Sequence, residues 1–405
     1  MKGILDPVHG FIPIREEIMK IIDEPLFQRL GHVYQLSMCK TVFIGADHKR
    51  KSHCIGAMHL ANRYIQYLVS NCENINQKDA QKVKKVLQIS ALLHDICHGP
   101  FSHSWDSTVY DKIYPGKHKG HDKHRIKALQ YLKEKLDKIG INIQNIKDVW
   151  TGKSESCDKN IDFSGLTALI QGPLGVDRMD FIKRDTYYTG TAHFGVIDSD
   201  RVIYNTILVN RKVNGKIQTF ISYNQKIIPD IIQGLRTRLD MYQNVYLNKT
   251  VVAGTILVEA MVKTAYKHLN YIERTKNFEQ FKYLTDDFII GEIINSKDKS
   301  MDESKIYANA LYQRNLPKMV NERIIYVKNC KINHKVGIKF ISHASKNITE
   351  LKAIWRSRVL SNDFASDFDK YSIHVYKNGK HIPFSEYYQI QEKKYFYIER
   401  EYSYN

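Results

Sequence analysis

The chain has 405 residues, 43% of them apolar and 26% charged, which excludes collagen-like, low-complexity and disordered classes and suffices for one large domain or two ordinary ones. The formal net charge is +18. Such a field favours polyanions (nucleic acid, nucleoside triphosphates or an anionic membrane surface), but a bias towards Lys, Asn and Tyr explains it equally well, so charge alone names no substrate.

The opening MKGILDPVHG lacks the apolar run of a signal peptide. Six scattered cysteines form no CxxC pair, and the longest apolar stretch, VVAGTILVEAMV from Val251, is too short to span a bilayer. An intracellular, cytoplasmic or nuclear, setting and no membrane partner are therefore expected.

From about residue 14 to residue 140 the pattern is helical. Val83, Val86, Leu87, Ser90 and Leu93 fall on one helical face that Gly99-Pro100 stops, and Ile126, Leu129, Leu132 and Leu136 mark another helix. Two β-branched runs flank Asn214-Gly215, the signal of a hairpin. Helical periodicity returns from Pro229 to about Tyr271, with Leu235, Leu239, Tyr242 and Tyr246 at steps of four, three and four. After about residue 300 come short strands: ERIIYVKN, HKVGIKFIS, then YSIHVY and HIPF around Asn378-Gly379. The expected fold is mainly α: a helical core over 1–290 with an inserted β-hairpin, then a smaller C-terminal α+β lobe over 291–405.

Nine of the 17 histidines lie between His48 and His124. In ALLHDICHGPFSH an apolar helix delivers His94 and Asp95 at its C-terminal end, with His98 and His103 either side of the Gly-Pro turn. Imidazole nitrogen and carboxylate oxygen together suit a divalent Mn, Fe, Mg, Co or Zn ion. Any one of these histidines alone is as well explained as a helix cap or surface group; the set is not.

His53, then His94-Asp95, then Asp177 resemble the H…HD…D signature of HD-domain phosphohydrolases. More specifically, DPVHGFIPI, IIDEPLFQRL, the YQL of Tyr34 to Leu36, GADHKRKSH, HGPFSH and DRMDFIKRD are similar to the deoxynucleoside triphosphate triphosphohydrolase family, in the branch of the animal sterile-alpha-motif and HD-domain protein. The similarity starts at residue 2, so an HD core without a sterile-alpha-motif domain is expected.

The resemblance implies hydrolysis of a dNTP to deoxynucleoside and inorganic triphosphate. His53, His94, Asp95 and Asp177 would hold the metal. His98, His103 and His121 would surround the phosphates, backed by Asp106 and Asp122, with His103 the general acid and His121 its alternative. Arg50, Arg178 and Arg238 would clamp the triphosphate. Gln35 and Asp185 would meet the sugar 3′-hydroxyl, Leu36 would also touch the substrate, and Tyr246 would fill the space of a 2′-hydroxyl, with Tyr242 towards the base. Lys2, Asp23, Gln28, Arg201, Lys226, Arg314 and Lys318 match positions of a regulatory GTP or dNTP held between subunits of an oligomer, dimer or tetramer. Five positions depart from the family: Phe181 replaces a phosphate-bonding Tyr, Arg178 a Lys, Tyr242 a His, Gly31 a guanine-contacting Arg and Asn205 a Phe. Two other functions compete. One is a different HD nucleotidase or phosphodiesterase. The other is single-stranded nucleic-acid binding through Lys305, Arg314, Lys318, Arg323, Lys328, Lys331, Lys335 and Lys339.

Overall fold

The computed structural model describes residues 2–70, 75–116, 120–156, 158–195, 197–328, 337–344, 346–360, 370–388 and 394–404. His118, Lys331, Lys335 and residues 364–369 of the C-terminal motif lie outside them.

The fold is mainly α. A hairpin of β1 (Lys2–Asp6) and β2 (Gly10–Ile14) opens the chain, with Ile4 opposite Ile12. The helices Arg50–Ser70 and Gln77–Leu93 then pack side by side as the centre of the core. The Asn-rich composition has a local use: Asn76, Asn142, Asn248 and Asn277 each cap a helix by accepting a backbone N–H.

The Asn214-Gly215 hairpin forms as expected, between β3 (Thr206–Val213) and β4 (Lys216–Asn224), with φ of 50° and 79° at the turn. In the C-terminal part, β5 (Lys318–Lys328), β6 (Gly337–Ser342), β7 (Lys352–Leu360) and β10 (Lys394–Ser403) make a sheet in the order β5-β10-β7-β6. β8 (His374–Lys377) and β9 (Lys380–Pro383) instead extend the inserted hairpin, β8 lying parallel to β4. Residue 290 falls within the helix Asp286–Ile294.

One expected helix is broken. The 229–271 periodicity divides into Ile228–Met241, a π turn at Tyr242–Tyr246, and Lys249–Ala265. Asn248 caps the second helix by accepting from the Thr250 N–H at 2.9 Å, which restarts the chain in a new direction. Among the described residues no single helix is long and apolar enough to cross a membrane.

Candidate metal centre and substrate cavity

The Gln77–Leu93 helix ends in the apolar Ala91-Leu92-Leu93, so His94 and Asp95 emerge at its end within the core rather than in solvent. Two buried arginines satisfy carbonyls of the turn that follows. Arg125 Nη1 donates to His94 O at 3.0 Å, and Arg29 donates to Ile96 O at 3.2 Å and to His98 O. Burial lowers the Arg29 pKa to about 10, which leaves it cationic at neutral pH.

His53, on the Arg50–Ser70 helix, meets this turn. Its Nε2 lies 3.1 Å from His94 Nε2, and Asp177 Oδ1 lies 3.3 Å and 3.5 Å from those two nitrogens. Asp95 contributes oxygens 3.4 Å from His94 Nε2 and 3.7 Å from His53 Nε2. Both Nδ1 atoms are already engaged, His53 with Asp180 Oδ2 at 2.8 Å and His94 with Ala91 O at 2.7 Å. Each Nδ1 therefore donates, and the two Nε2 lone pairs converge with two carboxylates on one point. Without a cation that is an unfavourable arrangement. In the absence of a cation a proton takes that place on His53 Nε2: burial would lower the His53 pKa, yet hydrogen bonds with Asp177 and Asp180 hold it up at about 10. A bound ion would displace that proton to use the lone pair. The donor set fits a divalent ion, and all four expected ligands are brought together.

A second cluster stands beside the first. Asp106 accepts from His121 Nδ1 at 2.7 Å and from His103 Nδ1 at 3.2 Å, while the His121 ring stacks on His98 with centroids 3.8 Å apart. Burial, with Arg50 and His121 nearby, pushes the His98 pKa well below its usual value, so that ring is neutral at pH 7. Asp122 pairs with Arg125 at 3.0 Å and faces His121 Nε2 at 3.7 Å.

Between the clusters opens a cavity of 440 Å³. Gln35, Leu36, Arg50, Arg178, Phe181, Asp185, Arg238, Tyr242 and Tyr246 all line it, as do His94, Asp95, Asp177, His98, His103, His121 and Asp122. The π turn keeps Tyr242 and Tyr246 on this wall; their rings meet edge to face at 5.1 Å, and Arg238 lies 5.2 Å from the Tyr242 ring centroid. Tyr246 Oη donates to Asp185 Oδ2 at 2.7 Å, and His48 holds Asp185 Oδ1 at 2.8 Å. Arg50 is paired with Asp95 and donates to Ser102 Oγ at 3.0 Å, so its charge serves the metal side of the cavity.

None of the seven expected regulatory residues lines this cavity. Lys2 begins β1 and Lys318 begins β5; Asp23 ends the Glu16–Ile22 helix, and Gln28 accepts from Lys51 Nζ at 2.6 Å. Arg201 is ion-paired with Asp230 at 3.0 Å, and Arg314 donates to Thr41 O. Lys226 sits in the turn after β4, its N–H bonded to Asn224.

Sequence reading missed several members. Asp180 and Arg184 sit in DRMDFIKRD at three and seven residues from Asp177, a helical spacing that signals a shared face. Trp355 on β7 and Tyr371 also line the cavity, and nothing in the sequence ties them to it.

The helical core brings paired His and Asp residues together at the floor of a polar cavity, and the stretch that carries His53, His94 and Asp95, residues 50–159, matches the HD domain family. The chain is 27% identical over 333 residues to the deoxynucleoside triphosphate triphosphohydrolase SAMHD1 homolog of Dictyostelium discoideum, covering 80% of this chain and 61% of that one. It is 31% identical over 265 residues to an uncharacterized protein of Methanocaldococcus jannaschii (65% and 50% of the two chains). It is 27% identical over 376 residues to an HD domain-containing protein of Acanthamoeba polyphaga mimivirus (85% and 78%). The chain thus spans 61% and 50% of the lengths of the first two.

Proposed function

We propose that this chain is a metal-dependent phosphohydrolase of the HD class that cleaves dNTPs to deoxynucleoside and triphosphate. The observation that carries the reading is the convergence of the His53, His94, Asp95 and Asp177 donor atoms at one end of a cavity with Tyr246 hydrogen-bonded to Asp185 on its wall. A divalent ion held by those four residues would polarise the α-phosphoryl group and lower the pKa of bound water.

The protein's own groups do the rest. Water gives up a proton to solvent as its oxygen bonds to the α-phosphorus, and the bond from phosphorus to O5′ breaks, so that leaving oxygen needs a proton. His103 stands at the exposed mouth with its Nδ1 on Asp106, and donates that proton; His121, buried on the same carboxylate, is the alternative. Arg178 and Arg238 offset the triphosphate charge. The Tyr246 ring, fixed by Asp185, occupies the space a ribose 2′-hydroxyl would need. Phe181 offers no hydroxyl to the phosphates.

Ion-exchange analysis of dGTP incubated with the protein and Mn²⁺ tests this. Deoxyguanosine with intact triphosphate is expected. Stepwise phosphate release would favour another HD nucleotidase, and an unchanged substrate would leave the nucleic-acid-binding reading, to which the basic stretch from Lys305 points.

A further inference from the structure

We propose that the N-terminal hairpin is part of the metal centre: His9 and Asp6 of its turn, acting through Arg184 and Asp180, position the ligand nitrogen of His53. This rests on the metal-centre reading above but not on the identity of the substrate.

The contacts run unbroken from the hairpin to the ligand. Asp6 Oδ1 accepts the N–H groups of Val8 and His9, both at 2.9 Å, which shapes the turn between β1 and β2. Arg184 Nη1 donates to Asp6 Oδ2 at 2.8 Å, and its Nε and Nη2 form a fork on Asp180 at 2.9 Å and 3.0 Å. His9 Nε2 reaches Asp180 Oδ1 at 2.6 Å, and Asp180 Oδ2 meets His53 Nδ1 at 2.8 Å. The side chains of Arg184 and Asp180 are fully buried, and those of His9 and His53 nearly so.

Every acceptor site of Asp180 is spoken for, so its carboxylate has one orientation, and the His53 ring has one as well. Two carboxylates against one guanidinium leave a net negative charge behind the imidazole, which strengthens Nε2 as a donor to a cation. Gly56 supplies an independent sign. It lies one turn beyond His53 in a helix interior, where glycine costs stability, yet a Cβ there would overlap Asp180 Oδ1 and Arg184 Nη2. The helix gives up a side chain to let these groups reach His53.

The test is Mn²⁺ affinity, followed by the electron paramagnetic resonance of free Mn²⁺, for the full chain and three variants. Asp180→Asn should weaken binding by about 10–100-fold. His9→Leu should weaken it by roughly 10-fold, whereas His9→Gln, whose amide can still donate to Asp180, should stay close to wild type. The Co²⁺ absorption bands should shift in Asp180→Asn and His9→Leu and not in His9→Gln. A merely structural role would lower the unfolding midpoint of the metal-free chain and leave the affinity and the bands of the folded fraction untouched. A folded Asp180→Asn or His9→Leu with wild-type affinity would overturn the proposal; if Asp180→Asn fails to fold, the His9 pair decides. A wild-type chain that takes up neither Mn²⁺ nor Co²⁺ would overturn the metal-centre reading itself, a result distinct from wild type and variants binding alike.

Discussion

Phe101 and Ser102 hold consecutive positive φ values, 56° and 55°, directly ahead of His103. Non-glycine residues pay for that conformation, and here Arg50 on the Ser102 hydroxyl and Asp286 on the Phe101 N–H hold it in place. Single side chains elsewhere in the cavity decide the chemistry in the same way. Asp177 is the more exposed of the two expected carboxylate ligands that line the cavity, 27% against 11% for Asp95; burial opposes its charge, but His53 and His94 keep it ionised. Asp177→Asn should keep the fold and lose bound metal with nearly all turnover, since a neutral amide is a poor ligand for a hard ion. Full activity with stoichiometric metal in that variant would exclude the assignment. Phe181→Tyr should restore a donor to the phosphates; a hydrogen bond to a charged group is worth about 1.5–3 kcal/mol, so KM for dGTP should fall on the order of ten-fold or more, read from initial rates. At Tyr246 the ring and the hydroxyl separate cleanly. Tyr246→Ala should admit GTP, because an unpaired buried hydroxyl costs about 1–3 kcal/mol in the wild-type site, whereas Tyr246→Phe keeps the ring and should keep the discrimination. Equal hydrolysis of GTP and dGTP by the wild type would end that account.

The elements that carry these residues are joined by contacts distant in the chain. Asp286, first residue of the helix Asp286–Ile294, accepts the N–H groups of Phe101 at 2.8 Å and Tyr34 at 3.1 Å, tying the loop before His103 to the one bearing Gln35. Burial raises its pKa from 3.8 to about 6 against the pull of those two bonds. The folded chain therefore keeps a proton between pH 4 and 6 that the unfolded chain has released. Its stabilising contribution is full below pH 4 and is lost as pH rises through 6, by up to about 3 kcal/mol. Asp286→Asn cannot ionise, so its urea-unfolding free energy relative to wild type should improve as pH rises from 4 to 7; parallel curves would show that Asp286 is already ionised at the low end. Much of the architecture was legible from pattern. The Asn214-Gly215 hairpin and the helix ending at His94-Asp95 follow from local spacing, and the grouping of His53, His94, Asp95 and Asp177 was expected from the family resemblance of their motifs. The π turn at Tyr242–Tyr246 was not, because its sequence reads as uninterrupted helix and only the cap at Asn248 redirects it. Arg29, Arg125 and Asp286 were equally silent: a buried charge is justified by the carbonyls or N–H groups it meets in three dimensions, and no sequence period records those.

At the scale of the whole molecule, the C-terminal sheet is seated on the helical core at the edge of the cavity. Tyr402 Oη donates to Lys249 O at 3.0 Å, Arg400 reaches Leu247 O, and Trp355 lines the cavity beneath Arg400. Residues 247–249 follow directly on Tyr246, so movement of the sheet would be felt at the cavity wall that Tyr246 forms. The surface beyond the cavity holds the regulatory candidates. Asp23 and Gln28 lie near Lys51, and the Lys51 side chain passes 3.3 Å from where a Cβ on Gly31 would stand. An arginine at that position would place a guanidinium where this chain has a lysine stem instead. If the regulatory site expected from the family resemblance is present, lacking that arginine's charge-assisted hydrogen bond would remove roughly 1.5–3 kcal/mol of preference for guanine. We therefore propose an oligomer, dimer or tetramer, whose assembly responds to nucleotides without a strict requirement for GTP. Sedimentation with and without GTP, dGTP and dATP is the measurement: comparable shifts to a larger species with each are expected. A monomer with full dNTPase activity under every condition would refute the oligomer. Assembly with GTP alone would refute the role given to Gly31, because a site that lacks the guanine-contacting arginine and still rejected adenine would have to read the base through Asp23 and Gln28 by themselves.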